Sequence, residues 1–374
     1  MAEPIMVGCD LHDKTMLLRM ARGREPGETV VFRNTREGRA KMIERLQAEA
    51  WQAGGASILF AYEASGQGFG LHDELTESGV TCHVLAPTKI VRSVQQKKNK
   101  TDEKDAEQIL QLLRAHVLAG NPLPAVWVPD ARTRDDRELV RTRLDVAEKV
   151  VAIKSQVQSL LKRSRLVRPD ESGSGWSRGF RAWLSALTQQ PTVGSGARQV
   201  LASLLRQLAG LEGEIERLDD ALLRLADAPR YAPAVMELSK LTGIGVLTAL
   251  VFLTEIGDLT RFKNRRQLSA YLGLVPRSKE SGERSDCKGH ITRQGPSRVR
   301  KVLCQATWAR VRHDGPAREA YQRVVLKNPK HKKIAVVASM RRLAVQLWHR
   351  GCDAQVCPTS PGDGPLRACP APAV

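Results

Sequence analysis

Apolar residues come in short blocks through the first third of the chain, each closed by a turn signal or an acid. IMVGCD, starting at Ile5, is an apolar run that ends on Asp10. TMLLRMA and ETVVFRN follow it on either side of the turn-rich GREPG. The three read as strands. TREGRAKMIERLQAEAW has helical spacing and is stopped by Gly54-Gly55. SILFAYEA is a second buried-strand run, ending near Glu63. A short helix over about 69–78 and the strand VTCHVLAP come next. Thr101 is a good helix N-cap, and apolar residues at 106, 109, 110, 113 and 117 carry that helix to about Ala119. Three strands followed by alternating helices and strands predict a mixed α/β layer, compatible with a ribonuclease-H-like fold and with other α/β folds.

The pattern changes after residue 130. Val146, Val150, Ile153, Val157 and Leu160 are spaced 4, 3, 4, 3. Leu201, Leu204, Leu208, Leu211, Ile215, Leu218, Leu222 and Leu225 alternate 3 and 4 throughout. These are heptad seams, and they predict a long helical hairpin over 131–228. Its helices either pack on each other or complete a coiled coil with a partner chain. SGSGWSRG between them reads as a turn or small cap. Residues 235–350 look mostly helical, with Gly243-Ile244-Gly245 between two helical runs. A tight glycine turn ahead of a helix N-terminus can offer backbone N–H groups to a phosphate, as in a helix-hairpin-helix; an ordinary turn between helices reads the same way. RSKESGERSDCKGHITRQG reads as a polar basic loop, and PSRVRKVLCQATWARVR as a basic helix. Residues 353–374 hold five prolines and no core-forming run, and are expected to be a disordered tail.

Charge changes the picture more than composition does. Residues 1–120 hold 16 basic and 16 acidic groups, residues 121–230 hold 18 and 14, and residues 231–374 hold 25 and 10. A neutral first third joined to a last third of net +15 is the footprint of a polyanion binder, nucleic acid first. Aromatic residues make up 4%, too few for a base-stacking platform. The longest apolar run, around Leu247–Leu253, is too short to span a bilayer, and no secretory signal is visible. Seven scattered cysteines with no C-x-x-C pair suit free thiols in a reducing compartment. His349, Cys352, Cys357 and Cys369 are too irregularly spaced to argue for zinc.

Four carboxylates are placed for chemistry. Asp10 and Glu63 end predicted strands, and Asp102 and Asp105 lie one helical turn apart. Hard oxygen ligands of this kind suit Mg²⁺, and two such ions could serve phosphoryl transfer. Spacing alone is weak ground, because acids at strand ends are usually just solvated.

VGCDLHDK, AYEASG and KNKTDEKDAEQI, in that order, resemble the N-terminal part of the DEDD-type insertion-sequence transposases, a family that includes Piv-type DNA invertases and bridge-RNA-guided recombinases. LTGIGVLTALVFLTEIGDLTRFKNRRQLSAYLGLVPRSKESG and GHITRQGPSRVRKVL are similar to that family's second domain. The likeness covers about residues 5–350, with 131–228 matching by architecture only. Cys9 departs from the aliphatic residue more usual there; a packed cysteine is a small hydrophobe.

The resemblance implies a ribonuclease-H-like (RuvC-like) domain over 1–130, a hairpin insert over 131–228, and a basic helical domain over 229–352. It implies Mg²⁺ on Asp10, Glu63, Asp102 and Asp105, and a catalytic serine that maps onto Ser281 in Glu280-Ser281-Gly282. Without it, Ser281-Gly282 would read as a turn, and Ser278 and Ser285 are close by. Arg277, Lys279 and Arg284 are candidates to neutralise developing charge. Gly243, Gly245, Arg293, Arg298 and Lys301 are further candidates for nucleic-acid contact.

The implied function is a mobile element's transposase or recombinase. It would cut and rejoin donor and target DNA through a phosphoserine, guided by an element-encoded noncoding bridge RNA. It would act as a dimer or tetramer in the bacterial cytoplasm, on the nucleoid when bound to DNA. A metal-dependent nuclease or Holliday-junction resolvase using water, and an inactive nucleic-acid-binding relative, are the alternatives.

Overall fold

The computed structural model describes residues 2–90, 101–278, 288–327 and 329–355. The chain divides into two compact units, Met1–Val128 and a second from Pro129 onward.

The first unit is a five-stranded mixed sheet in the order β3-β2-β1-β4-β5. Its strands are β1 (Ile5–Leu11), β2 (Thr15–Arg22), β3 (Glu28–Arg33), β4 (Ile58–Glu63) and β5 (Thr81–Leu85). β1 is central, antiparallel to β2 and parallel to β4. Parallel neighbours need crossovers, which α1 (Arg36–Gln52) and α2 (Gly70–Glu77) provide. Thr35 caps α1 by accepting from the Gly38 amide, as its position ahead of the helical pattern predicts.

Alternation along the strands decides which residues face which layer. Ile5, Val7 and Cys9 of β1 pack with Ile58, Phe60 and Tyr62 of β4, under Met42, Leu46 and Ala50 of α1. The opposite face takes Met6 of β1 and Ala61 of β4, and is covered by Ile109, Leu110 and Leu113 of α3 (Asp102–Ala119). Gly8, Asp10 and Glu63 share this second parity. Both faces of β1 are therefore buried, and its polar end points to the α3 side. Burial pushes the Cys9 thiol well up, in keeping with a packed, inert sulfur. The expected order of strands and helices is the one observed.

The second unit is helical except for one small ribbon. α4 (Ala131–Arg163) and α6 (Ser195–Ala226) form the long hairpin, with α5 (Arg178–Leu187) in the connection. Ion pairs Arg143–Asp219 and Lys154–Glu212 fix the two long helices as antiparallel. At the far end, Val150, Ile153, Val157 and Leu160 meet Leu201, Leu204 and Leu208, with Phe180 and Leu184 as the cap. Near the base, Val140 and Leu144 with Leu222 and Ala226 join the core of the C-terminal helices. Leu211, Ile215 and Leu218, between these ends, are only half-buried.

α7 (Ala232–Ser239), α8 (Val246–Ile256), α9 (Arg265–Tyr271), α10 (Ser297–His313), α11 (Gly315–Lys327) and α12 (Lys332–Gln355) follow. α8 is buried nearly all round, which explains its run of apolar residues with no polar stripe. Arg141 ties the hairpin to it with a bidentate pair to the buried Glu255, at 2.7 and 2.9 Å. Arg137 donates to the Thr254 and Glu255 carbonyls, capping the end of α8.

One local expectation is corrected. The stretch read as a basic loop contains the antiparallel strands β6 (Pro276–Ser278) and β7 (Lys288–Ile291). They flank residues 279–287, which lie outside the described residues. Helix α12 also runs to Gln355, a few residues into the segment read as tail; residues 356–374 lie outside the described residues.

Candidate metal centre and nucleic-acid interface

The acidic cluster is built by one close approach. At Gly8 a Cβ would lie 2.3 Å from the Ala106 carbonyl oxygen and 2.4 Å from the Leu110 amide nitrogen. Only glycine lets α3 rest directly on β1 there. That contact sets the first turn of α3 beside the polar end of β1. Thr101 caps the helix by accepting from the Lys104 amide, and Asp102, Glu103 and Asp105 fill its first turn. Acids at this end also suit the helix dipole, so their presence has a structural reason besides any chemical one.

Asp10 and Asp102 come together around a residue that sequence reasoning did not single out. His12 Nε2 lies 3.1 Å from Asp10 Oδ2 and 3.4 Å from Asp102 Oδ1. One ligand atom from each of the three falls within 4.8 Å of the others. His12 sits in the β1–β2 turn. Its N–H donates to the Thr15 carbonyl and its own carbonyl accepts from Asn34 Nδ2. The signal was available in VGCDLHDK: a histidine two residues beyond a strand-end acid.

Glu63 ends β4, and the Cys9–Tyr62 register makes it the strand-end neighbour of Asp10 on the α3-facing side. Asp105 is buried, one turn into α3 from Asp102. Of the four expected carboxylates, two thus end neighbouring strands and two begin the helix that covers them, and Asp10 and Asp102 come within reach of a common ion together with His12.

The electrostatics suit a cation. Burial pushes the Asp10 carboxyl up, His12 pulls it back down, and the charges of Asp102 and Asp105 push it up again. Neighbouring carboxylate charge at this partly buried point disfavours the ionised form of Asp10, and a divalent ion held there would reverse that. The donors are hard oxygens plus one imidazole nitrogen.

Two regions of the sequence match established family descriptions. Residues 7–165 match the DEDD transposase of the IS110 type, and residues 236–322 match "Transposase IS116/IS110/IS902 family". Two Sinorhizobium fredii proteins whose names class them as transposases are similar to the chain. y4qE is 32% identical over 251 residues, covering 67% of this chain and 58% of its own length. y4rJ is 30% identical over 311 residues, covering 76% of this chain and 75% of its own length.

The chain belongs to the IS110/IS116 transposase family.

A transposase for insertion sequence element IS1111A of Coxiella burnetii is 27% identical over 240 residues, 63% of this chain and 61% of that protein. The DEDD match spans Asp10, Glu63, Asp102 and Asp105, and the second match spans 279–287 and the basic helix α10.

The expected nucleic-acid residues have mixed placements. Gly243 takes φ +82°, and a Cβ there would lie 2.8 Å from the Ala306 carbonyl oxygen and 3.0 Å from the Ala309 Cβ. It is a packing glycine between the α7–α8 turn and α10. Gly245 faces open space at the start of α8. Arg277 donates to the Thr292 carbonyl across the β6–β7 ribbon. Arg293 is exposed, with a left-handed φ of +56°. Arg298 and Lys301, on α10, are instead paired with hairpin acids, Asp145 at 2.8 Å and Glu148 at 2.6 Å. Lys279, Ser281 and Arg284 lie outside the described residues, as do Ser285, Cys357 and Cys369; the Cys352 side chain is buried in the helical core.

A stronger cationic feature stands elsewhere. Lys327 at the end of α11, Lys330 and His331 in the connecting turn, and Lys332 and Lys333 at the start of α12 are all exposed. KNPKHKK announces this tip in the sequence, and α12 adds its helix N-terminus. No described helix is long and apolar enough to cross a membrane.

Proposed function

We propose that the protein is the transposase of an insertion sequence, cutting and rejoining DNA by two cooperating sites. The observation that carries this reading is the convergence of Asp10 and Asp102, with Glu63 at the neighbouring strand end and Asp105 one turn along the same helix, inside a region that matches a DEDD transposase. The sheet order, with three antiparallel strands followed by two parallel ones, supports a ribonuclease-H-like domain.

Asp10, Glu63, Asp102 and Asp105 would hold Mg²⁺. When bound, it would supply Lewis-acid stabilisation of phosphate oxygens. Ser281 would be the nucleophile. Its Oγ forms a bond to phosphorus, the bond from phosphorus to one strand's sugar oxygen breaks, and the serine proton ends on that leaving hydroxyl. Reversal with another strand's hydroxyl restores a phosphodiester and frees the serine. One ester replaces another at each step, so rejoining needs no outside energy source.

The +15 last third and the α11–α12 tip are suited to phosphate backbones, which fix position rather than sequence. That division suits a protein whose site choice is delegated to an element-encoded guide RNA. The heptad hairpin, half-buried at its middle, suits assembly into a dimer or tetramer. The site of action would be the bacterial cytoplasm.

The test is recombination in cells. The gene with its natural flanks is placed on a donor plasmid, and newly joined element junctions are amplified. Junctions that form with wild type and vanish with Asp10→Asn support the reading. Junctions that persist undiminished with Asp10→Asn overturn it.

A further inference from the structure

We infer that His12 is a nitrogen ligand of the carboxylate site, biasing it toward Mn²⁺ over Mg²⁺. The inference rests on the proposed reading that Asp10 and Asp102 bind a divalent ion.

Geometry comes first. Ligands at adjacent corners of an octahedral ion, each about 2.1 Å from it, lie about 3 Å apart. His12 Nε2 stands 3.1 Å from Asp10 Oδ2 and 3.4 Å from Asp102 Oδ1. The nitrogen is thus spaced from both carboxylates much as neighbouring ligands of one ion would be. The same nitrogen is hydrogen-bonded to Asp10 and at ion-pair distance from Asp102, so it faces two carboxylates from different elements.

Its backbone is held for the task. Amide and carbonyl are both hydrogen-bonded, to Thr15 and Asn34. The side chain itself is 44% exposed, so the ring can make the small adjustment that coordination needs. Ligand chemistry then sets the preference. Carboxylates accept Mg²⁺ and Mn²⁺ alike, whereas imidazole favours transition ions over Mg²⁺. A mixed oxygen and nitrogen set should therefore raise the Mn²⁺-to-Mg²⁺ affinity ratio, and His12→Ala should lower it.

The direct test is pulsed electron paramagnetic resonance of Mn²⁺ added to the full chain. Wild type is expected to show nitrogen modulation of the Mn²⁺ echo. His12→Ala should lose it while still binding Mn²⁺. Protein labelled with [¹⁵N]histidine should change the modulation frequency with no substitution at all, which keeps the test independent of how His12→Ala folds. Bound Mn²⁺, abolished by Asp10→Asn but without nitrogen modulation in wild type, would overturn the role of His12 and leave the carboxylate site standing. Mn²⁺ that fails to bind, or binds equally to Asp10→Asn, would overturn both.

Discussion

Gly8 and Ala106 stand so close that no side chain fits between them: a Cβ on Gly8 would lie 2.3 Å from the Ala106 carbonyl oxygen. This contact between strand and helix backbones is what lets Asp102 and Asp105, at the start of α3, reach the end of the strand that carries Asp10. Gly8→Ala is therefore expected to lift α3 from the sheet. Overpacking against fixed backbone costs roughly 1–3 kcal/mol. The larger effect should be functional, because the displaced turn carries two of the four acids. Denaturant unfolding and divalent-ion binding should both weaken. Unchanged metal affinity in the variant would show that the carboxylates are not positioned by this contact.

Arg141 and Glu255 join the hairpin to the buried helix α8. Removing one partner of a buried pair leaves a stranded charge, at roughly 3–5 kcal/mol. Arg141 is one-third exposed while Glu255 is buried, so Arg141→Ala should fall at the lower end of that range. The double variant Arg141→Met/Glu255→Leu is expected to recover most of the loss. Chemical denaturation of all three proteins checks this, and a double variant no better than Arg141→Ala would contradict it.

Asp130 caps α4, accepting from the Thr133 amide at 2.8 Å and the Thr133 hydroxyl at 2.5 Å. Burial opposes its charge, but the Thr133 bonds and Arg230 outweigh that and hold the carboxyl at about 2. The unfolded value is about 3.9. A depressed carboxyl stabilises the fold above the unfolded value and loses that contribution as pH falls through the folded one. The window is thus about pH 4 down to 2. The side chain is 58% exposed, so solvent screening keeps the gain to no more than about 1 kcal/mol. Asp130→Asn retains a capping oxygen and should flatten the pH dependence of stability in that window. Identical pH profiles for the two proteins would count against it.

The α11–α12 tip should act through charge alone. Lys330→Glu, Lys332→Glu and Lys333→Glu together are expected to weaken duplex DNA and structured RNA binding without regard to sequence. The slope of log affinity against log salt should fall by roughly 0.9 for each duplex phosphate that is no longer neutralised. An unchanged slope would place the phosphate-binding cations elsewhere. The same substitutions on Arg298 and Lys301 should change it less, since both cations already have acidic partners.

Much of this architecture was legible because its signals are local. Apolar runs ended at Asp10 and near Glu63, Thr101 marked the start of α3, and the leucine spacing drew the hairpin. The place of His12 was only half legible: VGCDLHDK sets it two residues beyond Asp10, but its nearness to Asp102 depends on α3 returning to the end of β1 from far along the chain. Gly243 read more readily as a phosphate cradle than as an ordinary turn, and its packing against α10 is a tertiary fact. Arg298 and Lys301 looked like free cations because their acidic partners, Asp145 and Glu148, lie about 150 positions earlier. The β6–β7 ribbon was hidden because short polar strands, paired across a long intervening segment, carry little periodicity.

The most direct measurement is covalent trapping. Purified protein, with Mg²⁺ or Mn²⁺ and RNA transcribed from the gene's natural flanks, is mixed with end-labelled donor and target DNA and run on a denaturing gel. Wild type should yield a labelled protein–DNA band, absent from both Ser281→Ala and Asp10→Asn. Cleaved DNA with no adduct, formed equally by wild type and Ser281→Ala, would contradict the phosphoserine chemistry and point to water as the nucleophile.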